Sequence, residues 1–135
     1  MLHVAPTTFG DEGLFGGGER YPLELARALA RAGEVDAELV TFGPHPRVER
    51  DPSGLVIRVL RPLVHLHHHP VHPVAPALAP VLRGADVVHT HHLRSAPSRL
   101  AAAVARARRQ PVVVTDHSYL VPGKPRTVTH RVRRG

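Results

Sequence analysis

Phe15-Gly16-Gly17-Gly18-Glu19-Arg20 is the stretch on which the fold turns. It separates a short apolar segment, Met1 to Ala5, from a strongly helical one, Pro22 to Ala32. A strand, a glycine-rich turn and a helix in that order make a corner suited to phosphate. Glycine lets the backbone approach a ligand closely, because no Cβ stands in the way. The helix that follows turns its free N–H groups and the positive end of its dipole toward an anion. A glycine turn can equally be structural, so the rest of the chain has to decide between the two readings.

Downstream, the hydrophobic pattern alternates between helical and extended periods. Pro22 suits a first helical turn, where a missing N–H does little harm. Leu25, Leu29 and Ala32 recur at helical spacing and predict a buried stripe, with Gly33 as the stop. Ala37 to Phe42 predicts a second strand, Arg47 to Arg50 a short extended piece and Leu55 to Leu60 a third strand. Turn signals at Gly43-Pro44 and Asp51-Pro52-Ser53-Gly54 lie between them. A short helix is predicted within Pro73 to Leu82. Asp86-Val87-Val88-His89 begins a strand that runs into Thr90-His91-His92. Ser95 or Ser98 caps the next helix, which continues to about Arg109. Val112 to Thr115 is a β-branched strand, and Asp116-His117-Ser118 stands just past its end. Strands alternating with helices of this length predict right-handed crossovers and a mainly parallel sheet. Ligands of such sheets bind outside the C-terminal strand ends. The glycine turn, His89 to His92 and Asp116-His117 all fall at that edge.

Composition narrows the class. The chain has 135 residues, enough for one domain with a real core. Only 4% is aromatic, so that core has to be built from Val, Leu and Ala. The absence of cysteine excludes disulfides and thiolate metal sites. No apolar run approaches the roughly 20 residues that span a bilayer, and the opening segment lacks a basic leader. A cytoplasmic location is the expectation. The formal net charge of +7 is concentrated at the end: Lys124, Arg126, Arg131, Arg133 and Arg134 lie in a final stretch with no acid. Without them thirteen basic side chains face eleven acidic ones, so no specific nucleic-acid partner is expected. Residues 119–135 read as a basic, poorly structured tail.

The string FGGGERYPLELARALARAG, followed by a short strand, then ADVVHTHH and PVVVTDH, resembles the N-terminal domain of family 4 glycosyltransferases. The resemblance covers residues 1 to about 118. It implies a Rossmann-like, doubly wound α/β sheet with helices on both faces, the N-terminal half of a GT-B fold. It also implies transfer of a sugar from a nucleotide-sugar donor to an acceptor hydroxyl, with retention and without a metal or other cofactor. On that resemblance Gly16, Gly17 and Gly18 lie at the cleft against donor phosphate or acceptor, and Glu19 touches the acceptor. His91, His92 and Asp116 line the same cleft, and His117 points at the transferred sugar as the catalytic residue. The family's second domain, which supplies most donor contacts, has no counterpart here. The resemblance therefore predicts a truncated chain with little activity alone, partnered by a separately encoded C-terminal half. Peripheral contact with the inner membrane face is compatible with it.

Two features bear on other readings. Gly16 and Gly18 match the first pair of a dinucleotide fingerprint, but Tyr21 stands where its third glycine belongs, so NAD is not expected. The chain has twelve histidines. Five of them, His65, His67, His68, His69 and His72, crowd a proline-rich segment that reads as a solvated, mobile loop. If that segment were extended, His65, His67 and His69 would share a side and could hold a metal weakly. On a strand, His89 and His91 share a face and His92 opposes them. A non-catalytic phospholigand- or metal-binding module, or a non-functional truncated relic, therefore stands as the alternative to an enzyme fragment.

Overall fold

The computed structural model describes residues 1–7 and 16–116. Among the described residues eight strands and three α-helices follow one another. They are β1 (Leu2–Val4), α1 (Gly17–Ala32), β2 (Glu38–Phe42), β3 (Arg47–Arg50), β4 (Val56–Leu60), β5 (Val64–His65), β6 (Pro73–Val74), α2 (Leu78–Arg83), β7 (Val88–His91), α3 (Ala96–Ala107) and β8 (Val112–Thr115). Six strands form one sheet in the order β3-β4-β2-β1-β7-β8, all parallel except the edge strand β3. β5 and β6 make a separate antiparallel hairpin.

This is a Rossmann-like α/β sheet, mainly parallel, as the alternation of periods predicts. The chain winds outward from β1 to β2 and β4, then returns to place β7 and β8 on the other side of β1. Reversing direction in this way puts crossover helices on opposite faces. Leu2, Val4, Val40, Phe42 and Val88 pack on Leu78 and Leu82 of α2 and on Ala101 and Ala105 of α3. On the opposite face Leu39, Ile57 and Val59 pack on Leu23 and Ala26 of α1. The gap between the C-terminal ends of β1 and β7 is the point where strand order reverses, which is where such sheets take ligands.

Three local expectations are corrected. The first helix begins at Gly17, five residues before Pro22, so two of the loop glycines form its opening turn. Its buried stripe is Pro22, Leu23 and Ala26. Leu25 and Leu29 are only half-buried and Ala32 is exposed. Residues 22–32 offer apolar side chains on more than one face, and the sheet selects those that point at Leu39 and Ile57. The histidine-rich segment is solvated, as expected, but forms a hydrogen-bonded hairpin end. Leu66 N–H donates to His72 C=O at 2.9 Å, and His72 N–H to His69 C=O at 3.0 Å. His67 and His68 have φ of 55° and 52°, so extended alternation fails there and the supposed common side of His65, His67 and His69 does not form. Residues 119–135 lie outside the described residues. Among the described residues no helix is long and apolar enough to cross a membrane.

Candidate functional site at the C-terminal sheet edge

The glycine corner and the end of β7 meet. Gly16 is the N-cap of α1, extended at φ −85° and ψ 162°, and no side chain caps it. A Cβ on Gly16 would collide with the Glu19 carboxylate, which folds back over the helix start. A side chain at this position would have to displace that carboxylate. Thr7 Oγ1, at the end of β1, donates to Glu19 Oε1 at 3.4 Å. His92 Nε2 donates to the Gly18 carbonyl oxygen at 3.3 Å. Ends of β1 and β7 are thus tied to one helix terminus. Glu19 supplies negative charge where the α1 dipole is positive, a stabilising pairing.

His92 sits at φ 64°, in the left-handed region that non-glycine residues seldom occupy. This twist takes it out of the strand alternation, so it projects to the rim instead of simply opposing His91. A hydrogen-bond chain supports the bend from behind. Ser95 is the N-cap of α3, and its Oγ accepts from Ser98 N–H at 3.3 Å. Ser95 Oγ donates to Ser98 Oγ at 2.9 Å, and Ser98 Oγ donates to the His91 carbonyl at 2.8 Å. The sequence points to either serine as a cap; both take part, and Ser98 also anchors β7.

Beneath the rim lies a set of imidazoles. The register pairs His3 of β1 with His89 of β7, and His91 follows two residues on, so all three share the α1 face. All three are buried. His3 Nδ1 lies 3.3 Å from His91 Nε2, and His89 Nε2 hydrogen-bonds Thr115 Oγ1 of β8 at 2.8 Å. The His89 and His91 ring centroids are 4.3 Å apart, and Tyr21 of α1 meets His91 edge-on at 6.1 Å. Burial, then repulsion from His89 and the N-terminal ammonium, lowers the pKa of His3 to about 4, so this imidazole is neutral at pH 7.

The predicted residues divide accordingly. Gly16, Gly17, Gly18, Glu19 and His92 come together at one corner. His91 belongs to the buried layer below it. Asp116 is exposed just past β8. His117 lies outside the described residues. His3 was not singled out by sequence reasoning; its signal was a histidine at the centre of an otherwise apolar buried strand. A concavity of about 960 Å³ opens at the other edge of the sheet beside Met1, Asp36, Glu38, Arg58 and Asp86. That edge carries the N-terminal strand ends, which do not take the ligand in doubly wound sheets. The candidate site is therefore the β1–β7 rim.

A comparison with known families finds that the one described as Glycosyltransferase Family 4 matches residues 15–135. No curated protein and no solved structure matches the chain.

Proposed function

The chain belongs to glycosyltransferase family 4, and from that premise we propose that it is the acceptor-side domain of a retaining, nucleotide-sugar-dependent transferase. The observation that carries this reading is the His92–Gly18 hydrogen bond. It brings two separated motifs to one rim, at the point of the sheet where ligands bind.

Sugar transfer from a nucleotide-sugar leaves negative charge on the departing phosphate oxygens. Backbone N–H groups, a helix start and cationic side chains stabilise such charge. At this rim the helix start already faces the Glu19 carboxylate. A phosphate arriving at the same place would meet a like charge. With Glu19 in this position the corner favours a neutral, hydroxyl-bearing ligand, and Glu19 accepts the hydrogen bond of the acceptor hydroxyl. His92 and Asp116 border the same opening. His117, next in the chain after Asp116, holds the transferred sugar in line for departure of the diphosphate. The groups that grip diphosphate and ribose then come from a second Rossmann-like half.

The test is backbone NMR of the chain titrated with uridine- and guanosine-diphosphate sugars and with simple sugar acceptors. Shift changes centred on Gly17 to Glu19, His92 and Asp116 are expected. Changes confined to Asp36, Arg58 and Asp86 at the opposite edge, or no binding of any ligand, would overturn the assignment.

A further inference from the structure

We propose that His3, His89 and His91 form a binding site for a divalent transition-metal ion of the zinc class, pinning β1 to β7. This departs from the metal-free expectation that accompanies the family resemblance, and it stands independently of the transferase reading.

One nitrogen from each ring lies within 4.8 Å of the other two. The shortest of these separations, His3 Nδ1 to His91 Nε2, is 3.3 Å. Two imidazole nitrogens about 2.0–2.1 Å from a tetrahedral zinc stand about 3.3–3.4 Å apart. The observed spacing fits that chord, and it is longer than the usual N–H hydrogen-bond range. The backbone fixes the arrangement, because paired positions on parallel strands and a residue two further along all project from one face.

One further observation concerns the outer side of the site. Thr115 Oγ1 holds His89 Nε2 at 2.8 Å, so this ring would ligate through Nδ1. An outer hydrogen bond of this kind is how ligating histidines are oriented. Neutral imidazoles favour zinc, copper and nickel over magnesium and calcium, and three histidines with one open position are an established zinc ligand set. Water or a small anion would occupy the fourth position. Among the described residues no other group of three or more histidines and carboxylates is close enough to hold an ion, so the histidine-rich hairpin is not a competing site.

The experiment uses the untagged full chain, stripped with chelator and titrated calorimetrically with zinc. One equivalent should bind and raise the thermal midpoint, since a ligand that binds only the folded state stabilises it. Cobalt(II) should give the intense visible bands of a four- or five-coordinate nitrogen site. His91→Gln should abolish both signals, whereas His67→Gln with His69→Gln should leave them unchanged. Thr115→Val removes only the outer hydrogen bond and should weaken binding about 10–100-fold; it also covers the case in which His91→Gln fails to fold. Failure to bind zinc at all would overturn the site. So would binding lost in the hairpin variant, or affinity unchanged in Thr115→Val.

Discussion

Acid should destabilise this protein well above the range where carboxylates titrate, and His3 sets the size of the effect. Its imidazole is held at a pKa of about 4 by burial, by His89 and by the N-terminus, against 6.5 for the free side chain. The unfolded chain therefore binds a proton between those values that the folded chain refuses. Stability from this group is complete above pH 6.5, declines as the pH falls, and is gone below about 4. A difference of about 2.5 units corresponds to about 3 kcal/mol in total, at about 1.4 kcal/mol per unit. By pH 5 linkage puts the loss at about 2 kcal/mol, a large share of the roughly 5–15 kcal/mol that holds a domain together. The assay is urea unfolding of chelator-treated protein at steps from pH 7.5 to 5, followed by the denaturation midpoint at constant slope. His3→Gln should lower stability at pH 7.5 yet flatten the pH dependence by about 2 kcal/mol over the same interval. His72 also titrates low, through burial and then its neighbours His69 and His67, and a His72→Gln control separates its share. Equal slopes in wild type and His3→Gln, or a titration of the His3 ring by NMR near 6.5, would refute the reasoning.

Other perturbations test neighbouring parts of the fold. Leu82 is fully buried between α2 and the sheet, so Leu82→Ala should cost about 2–5 kcal/mol in denaturant unfolding. Asp51 accepts from Arg27 Nε at 2.6 Å and from Ser53 N–H at 2.9 Å. Burial alone would raise its pKa, but the hydrogen bonds of Ser53 and Arg27 outweigh burial and lower it. Its contribution is present above the ordinary carboxylate range and is lost as the pH drops below it; Asp51→Asn should remove that acid limb and cost about 1–2 kcal/mol at pH 7. At His92, a valine should cost about 1–2 kcal/mol for the left-handed backbone, whereas His92→Gly should be tolerated, as read from thermal melts of the two variants.

The fold was legible because its signals are redundant. Val112 to Thr115 is β-branched throughout, α3 is rich in alanine, and the turns at Gly43-Pro44 and Asp51 to Gly54 bracket β3. The antiparallel sense of β3 was not legible, since a four-residue strand carries no directional mark. The rotation of α1 was missed because apolar residues cover more than half of its circumference, and only the partner sheet chooses among them. The corner of Gly16 to Glu19 and His92 could be anticipated from order along the chain, because all parallel strands end at one edge. His3 could not. Its role depends on register with His89, a pairing across 86 residues that no local pattern encodes.

The two helix starts at this edge are built by opposite means, and the contrast carries functional weight. The start of α3 is closed by its own serines: Ser95 takes the Ser98 N–H, and the Ser98 hydroxyl goes on to the His91 carbonyl. The start of α1 has glycine at the cap and at the first two helical positions, with no capping side chain. Its stabilising charge is Glu19, which accepts a long hydrogen bond from Thr7. Removing a serine cap from α3 would cost stability alone. Turning Glu19 aside at α1 would expose free N–H groups and a positive dipole end to whatever enters the rim. With Glu19 folded over the helix start, the corner presents a hydrogen-bond acceptor to the rim.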